Sequence, residues 1–355
     1  MFMDMINKGD GRLAETIRFL QSNKKPLVLF GASIAGESML CELEKLGIAV
    51  TCFADNDEAK RLVPFCGYEV LSPSEVKYKY PGAVVIVSIG TSAAEQVKKQ
   101  LDAMGCFESV LGYFYRASEF YDFETYVNAN AQAFEMLGGL LADDKSREVL
   151  AAHINCLITG ELVFPSHLAD EGQYFDDDII RFKEGEVFLD AGSYDGGTAL
   201  EFARRAPRYK KIICLEPEKE NFERTVQNTM RLERVECFQL GAWERRSTFA
   251  FKGSGISSRM SDEGDYSIEV VSIDDMFSNE AITFIKMDIE GAEIAALKGA
   301  RETIVKHRPR LAVCAYHKRE DLLVIPLLLK SLNSDYRIYF RHYGPDIYET
   351  VCYAV

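Results

Sequence analysis

The stretch VFLDAGSYDGGT, residues 187–198, joins a short apolar run to a turn rich in glycine. Asp190 closes the run, and Gly192, Gly196 and Gly197 leave little side-chain bulk before GGTALEFARRA, which has helical periodicity. Such a pattern reads as strand, tight turn and helix. The same grammar repeats outward. KKIICLEPE is a strand, KENFERTVQNTMRL a helix and VECFQLGAW a third strand, after which the chain detours through Ser247 to Ser272. ITFIKMDIEG is a buried strand leading into the helix AEIAALKGARETIVKH, PRLAVCAYH a fifth strand, and DLLVIPLLLKSL a helix despite Pro326. Strands alternating with helices, each return long enough for a crossover, predict a parallel sheet. The closing runs YRIYFRHY and YETVCYAV, joined by a short connection, should pair antiparallel and give that sheet one antiparallel edge strand.

Upstream, KPLVLFGASIAG is a strand entering a glycine-bounded turn, and ESMLCELEKLG is a helix stopping at Gly47. IAVTCFADND, YEVLSPSEV and AVVIVSIG supply further strand segments, and TSAAEQVKKQLDAMG a helix closing at Gly105. From Ala117 to about Phe182 the β-branched runs thin out, and SEFYDFETYVNANAQAFEMLGGLLADD and SREVLAAHINCLITG read as amphipathic helices. The aromatic stripe Phe120, Tyr121, Phe123, Tyr126 and Phe134 fits core packing better than an acceptor pocket. The organisation is two α/β units with mostly parallel sheets, residues 1–116 and 183–355, joined by a helical connector over 117–182. A chain of 355 residues is long for one core, which agrees with two units.

Forty-one basic against 55 acidic residues leave a formal charge of −14 and no basic run, so a nucleic-acid partner is excluded on charge. No apolar stretch approaches the ~20 residues that cross a bilayer, and MFMDMINKGDG lacks the apolar core of a secretion signal. Nine cysteines, none at C-x-x-C spacing, fit free thiols in a reducing cytoplasm rather than a zinc or disulfide framework.

Ligands of open α/β sheets sit at the carboxyl ends of strands. There the turn offers Asp190, Gly192, Ser193, Asp195 and Gly196, and the next strand tip offers Glu216 and Pro217. An acid about ~20 residues beyond a glycine turn is where a ribose is gripped, so this pair reads as an adenosine site. Ala242 and Trp243 follow the third strand, where an adenine edge would be met. Asp288 and Glu290 stand after the fourth strand and His317 after the fifth; these three are the candidates for chemistry. Glu290 and Glu293 also suit a helix amino end, where acids are favoured. No metal is assigned; magnesium on Asp288, Glu290 and Glu293 is the weaker alternative. In the first unit, Gly31 and Gly36 flank Ser33, which stands where a dinucleotide turn has its second glycine, and Asp55 lies where a ribose acid would.

The segments VFLDAGSYDGGT, CLEPE, VVSIDDMF, FIKMDIEGAEIAALKGA and RPRLAVCAYHKREDL, in this order, resemble the FkbM family of methyltransferases over residues 184–355. That resemblance implies a Rossmann-like domain, S-adenosylmethionine as methyl donor, and O-methylation of a small-molecule or glycan hydroxyl as the commonest chemistry. One departure is SYDGG, where many relatives read N-x-G after the first glycine. The first unit is similar to the Rossmann-like, nucleotide-binding-type domains that precede some sugar acyltransferases and sugar methyltransferases. A nucleotide or nucleotide-sugar ligand there stays open beside a packing or dimerisation role, and a homo-oligomer is neither required nor excluded. Two further readings remain: a nucleotide-sugar or NAD(P)-dependent enzyme working through the first unit, and a non-catalytic adenosine-binding scaffold.

Overall fold

The computed structural model describes residues 1–7, 12–89, 91–111, 117–160, 163–252, 259–260 and 266–355. The chain forms two compact units: Asn7–Ala129 with Asn155–Leu162, and Met1–Ile6 with Asn130–Ile154 and Val163–Val355. The helix Asp144–Thr159 therefore contributes to both.

In the first unit, β1 (Leu27–Phe30), β2 (Cys52–Ala54), β3 (Val70–Leu71), β4 (Val84–Val87) and β5 (Glu108–Leu111) form a sheet in the order β3-β2-β1-β4-β5, parallel throughout. Every residue of β1, β2 and β4 is buried. Sheets covered on both faces ask for such unbroken apolar runs rather than alternation. The helices Ile34–Lys45 and Thr91–Ala103 make two of the returns. YEVLSPSEV corrects the strand expectation. Only Val70–Leu71 is strand, because Ser72 accepts the Glu75 N–H while the Glu75 carboxylate accepts from the Ser72 amide, and Pro73 opens a helix to Lys79. This reciprocal capping starts a helix wherever the flanking pattern allows one. The expected end of the unit near Tyr115 lies outside the described residues.

Helices at Ala117–Phe120, Phe123–Ala129, Ala131–Leu140 and Asp144–Thr159 follow the helical expectation. The stretch 163–182 does not, and carries only a short 3-10 turn and a two-residue strand. Of the aromatic stripe, Phe120, Phe123 and Phe134 are core residues.

The second unit is built on β6 (Ala169–Asp170), β7 (Val187–Ala191), β8 (Lys211–Leu215) and β9 (Val235–Phe238), then β10 (Gly241–Ala242), β11 (Ser247–Lys252), β12 (Arg259–Met260) and β13 (Tyr266–Val271). It closes with β14 (Phe284–Met287), β15 (Arg310–Cys314), β16 (Ile338–Tyr343) and β17 (Thr350–Ala354). Eight of these strands lie in the order β6-β16-β17-β15-β14-β7-β8-β9, and β10-β13-β11-β12 make a small second sheet from the detour. β16 and β17 pair antiparallel, but β17 is not at an edge. After β15 the chain returns through the helix Asp321–Leu332 and lays β16 one place out; the short turn then folds β17 back into the gap, antiparallel to both neighbours.

One face of this sheet is aromatic: Phe188 stacks on Phe202 at 4.4 Å and on Phe284 at 5.1 Å, beneath Tyr174, Phe175, Ile179 and Ile180. Toward β16, His153 Nδ1 and His342 Nδ1 each lie 2.7 Å from the single Thr350 hydroxyl. One hydroxyl carries one hydrogen, so it donates to one ring and accepts from the other, and the two imidazoles hold different tautomers. Burial holds both neutral, lowering His153 to about 3 and His342 to about 4. Among the described residues, no helix is long and apolar enough to cross a membrane.

Candidate active site

Strand register places a polar row across the aromatic face. Lys286 of β14 pairs with Asp190 of β7, Asp190 with Cys214 of β8, and Cys214 with Cys237 of β9. Partners in neighbouring parallel strands point to the same face, so Lys286 Nζ reaches Asp190 Oδ1 at 3.2 Å, with Asp190 wholly buried. The same amine donates to the Gly192 carbonyl and lies 5.1 Å from the centre of the Tyr174 ring. Burial raises the Asp190 carboxyl and Lys286 opposes it; on Lys286, burial is outweighed by Asp190 and Asp288, and the ammonium is strongly retained. Asp190, read in the sequence as part of the ligand turn, is thus sealed against a protein ammonium. Lys286 was missed in the sequence, although a lysine inside a strand buried on both faces must find an anion.

Above this pair runs the glycine turn. Gly192 has φ +78°, and a Cβ there would stand 1.8 Å from the Asp288 carbonyl oxygen, so this glycine is needed for the crossing of two strand tips. Gly196 is also left-handed, and Tyr194 adopts φ 53°. The Glu216 carboxylate accepts the Tyr194 N–H at 2.9 Å and the Glu218 N–H at 3.0 Å. Burial pushes Glu216 up to about 7 against the pull of those two amides. Each of its oxygens keeps a second lone pair, so ribose hydroxyls can still donate to it. Ser193 is buried beside Thr225, and Asp195 accepts the Gly197 N–H at 2.9 Å. Pro217 packs toward Gly241, and Ala242 is buried in β10. The Trp243 indole meets Phe249 edge-on at 5.1 Å against Ile268 and Val270. The tips of β7, β8 and β14 therefore bring the turn, Glu216 and Asp288 together, while Trp243 packs on the smaller sheet.

Beside the turn, Asp288, Glu290, Glu293 and His317 form a cluster. His317 Nδ1 lies 2.9 Å from Glu293 Oε1, and its Nε2 lies 3.4 Å from Asp288 Oδ1 and 3.8 Å from Glu290 Oε2. Tyr174 donates its hydroxyl to Asp288 Oδ2 at 2.7 Å. Burial works against a charge on His317, but Glu293, Asp288 and Glu290 overcome it and raise the ring to about 9. Burial likewise opposes ionisation of Asp288; Lys286, His317 and the Tyr174 hydroxyl prevail and lower it. Burial and Glu293 push Asp321, at the start of the next helix, up to about 8. Tyr174 carried no sequence signal, because packing alone brings it to a residue 114 positions away.

In the first unit, a Cβ on Gly31 would stand 2.6 Å from the Ser88 carbonyl oxygen, and one on Gly36 1.9 Å from that of Gly31. Asp55 accepts the Ala32 N–H at 3.0 Å and the Asp57 N–H at 2.9 Å, and pairs with Lys60 at 3.1 Å. Ser33 precedes the helix Ile34–Lys45 in extended conformation.

A parallel sheet with one reversed strand set inside it, and a glycine turn over a strand-tip acid, define the second unit as a Rossmann-like fold of the methyltransferase type. Residues 190–344 match the Methyltransferase FkbM domain. The chain is similar to the 2-O-methyltransferase NoeI of Sinorhizobium fredii (strain NBRC 101917 / NGR234), 28% identical over 151 residues. That match covers 36% of this chain and 62% of the relative's length. In fold it is similar to the crystal structure of a methyltransferase FkbM from Methylobacillus flagellatus KT. There the TM-score is 0.72 at 24% identity, over 99% of this chain and 94% of that one.

Proposed function

We propose that the chain transfers a methyl group from S-adenosylmethionine to a hydroxyl of a sugar, glycan or natural product. This reading is carried by Glu216 at the tip of β8 and the Asp288–His317 pair at the tips of β14 and β15, on the two sides of the β7 glycine turn. One side suits a ribose and the other a reacting hydroxyl. The relative named as a 2-O-methyltransferase supports oxygen as the acceptor atom.

In the reaction, the acceptor oxygen bonds to the methyl carbon as the carbon–sulfur bond breaks. Sulfur keeps the electron pair and becomes a neutral thioether, and the hydroxyl proton passes into the Asp288–Glu290–His317 cluster. Holding two reactants in attack geometry contributes roughly 7–11 kcal/mol, which makes orientation the larger part; a positioned base adds typically ~10²–10⁴-fold. Asp190 acts from below, where its pairing with Lys286 holds the Gly192 carbonyl in place. An NAD(P) or nucleotide-sugar role for the first unit gains no support from Asp55, whose carboxylate already serves Ala32, Asp57 and Lys60. Nine cysteines outside any disulfide, Cys52, Cys156, Cys214, Cys314 and Cys352 among them buried, suit a reducing compartment such as the cytoplasm.

Titration calorimetry with S-adenosylhomocysteine and transfer of labelled methyl to a panel of glycosides test the proposal. Heat of binding and a labelled ether are expected. No heat with either donor or product overturns the reading, and unchanged turnover in His317→Ala removes that residue from the chemistry.

A further inference from the structure

We infer that Asp288, Glu290 and His317 form a site for a divalent first-row cation, with Glu293 and Tyr174 behind them as orienting groups. The inference rests on the methyl-transfer reading for its chemistry, since a bound cation would hold and acidify the acceptor hydroxyl. It differs from the magnesium alternative read in the sequence, because His317 joins the cluster and Glu293 withdraws behind the ring.

The geometry supports it at four points. His317 is 3% exposed, and Glu293 Oε1 stands 2.9 Å from its Nδ1, leaving Nε2 to face Asp288 and Glu290. A carboxylate on the far nitrogen is the usual second partner of a metal-binding histidine. Tyr174 does the same for Asp288, taking Oδ2 at 2.7 Å and leaving Oδ1 to face the ring. The separations of 3.4 Å and 3.8 Å from Nε2 are long for charge-assisted hydrogen bonds. They suit neighbouring ligands on one ion: bonds of about 2.1 Å put tetrahedral ligands roughly 3.4 Å apart. Asp288, Glu293 and His317 each bring one possible ligand atom within 4.8 Å of the others, so Glu293 also stands within reach of the cluster.

A second observation points the same way. Glu293 is wholly buried, and its Oε2 has no hydrogen-bond partner. A buried carboxylate left half satisfied is costly unless positive charge stands close by. Lys286 is bound up with Asp190, and three carboxylates face one imidazole. One imidazole with two carboxylates suits manganese or zinc better than an all-oxygen site would.

The test uses full-length protein stripped with chelator and titrated with Mn²⁺ by paramagnetic resonance, with Zn²⁺ as competitor. One Mn²⁺ per chain is expected, displaced by Zn²⁺. Glu290→Gln, at a half-exposed side chain that folding tolerates, should weaken the site at least ~10-fold, and Glu293→Gln by ~10–100-fold as second partners do. Failure of the stripped protein to bind either ion overturns the inference, as does binding that Glu290→Gln and Asp288→Asn leave unchanged. Calorimetry with S-adenosylhomocysteine on the same samples separates the two claims. Ligand heat without metal binding removes only the cation site; metal binding without ligand heat removes the methyl-transfer reading.

Discussion

The two units repeat one architecture, and their corresponding strand tips use it differently. In each, a strand-end acid reaches back to a backbone N–H of a glycine turn: Asp55 to Ala32, Glu216 to Tyr194. Asp55 also holds the Lys60 ammonium, so its charge is answered within its own unit. Glu216 holds only backbone amides among its described hydrogen bonds, and burial lifts it to about 7. At the next tip the contrast widens. The first unit places Ser88 there, donating to the Phe30 carbonyl, while the second places Asp288 against His317 and Tyr174. A glycine turn with an acid nearby is therefore a property of this architecture, and chemistry is to be sought where charges converge without full local compensation.

The largest test of this contrast lies in the two lysines. Lys286→Met strands Asp190 in a dry core and should cost about 3–5 kcal/mol in the unfolding of the second unit, as broken buried pairs do. Lys60→Met removes a partner that is 41% exposed and should cost no more than ~1 kcal/mol. Equal losses in denaturant titrations would erase the distinction. Next come the acids themselves. Glu216→Gln should weaken S-adenosylhomocysteine binding by roughly 10–100-fold, the worth of a hydrogen bond to a charged group, while Asp55→Asn leaves the affinity where it was. Calorimetry on both variants decides which tip is the adenosine site.

Protonation should also distinguish the units. All five histidines lie in the second one. His153 and His342, faced by Thr350, Phe164 and one another with Asp170 nearby, stay neutral in the fold and bind protons only on unfolding. Their contribution is complete above about 6.5 and is lost as pH falls toward about 4 and 3. By pH 5 each should have lost ~2 kcal/mol of it, by proton linkage, while Glu216 and Asp321, raised to about 7 and 8, gain stability over the same range. NMR titration of the two imidazoles should find both neutral down to about pH 5, and protonation of either above that pH would contradict the assignment. The smallest effect is expected at Gly197. It lies outside the left-handed region, and an added Cβ meets only Asp195 Oδ1 at 3.1 Å. Gly197→Ala should therefore stay within ~1 kcal/mol of the parent, and a larger loss would show that the turn needs all its glycines.

Much of the fold was legible because hydrophobic periodicity is local. LVLF and VVIV are unbroken apolar runs, VFLDA and FIKM are each interrupted by one charge, and all four became buried strands. YEVLSPSEV misled because β-branched residues and a capping signal overlap within nine positions, and the cap prevailed. The antiparallel pairing of the last two strands was readable from their short connection, but the slot that β17 fills was not, since it depends on where β15 leaves room.

For the site, the chain itself announced which residue types stand at which strand tips, because the tip is the end of a local pattern. Only the tertiary structure decided what each one faces. Lys286 meets Asp190 across 96 positions through strand register, Tyr174 meets Asp288 through packing, and His317 meets Glu293 where two strand-to-helix turns lie side by side. Charge and hydrogen bonding act through space over a few ångströms, and sequence separation carries no measure of that distance.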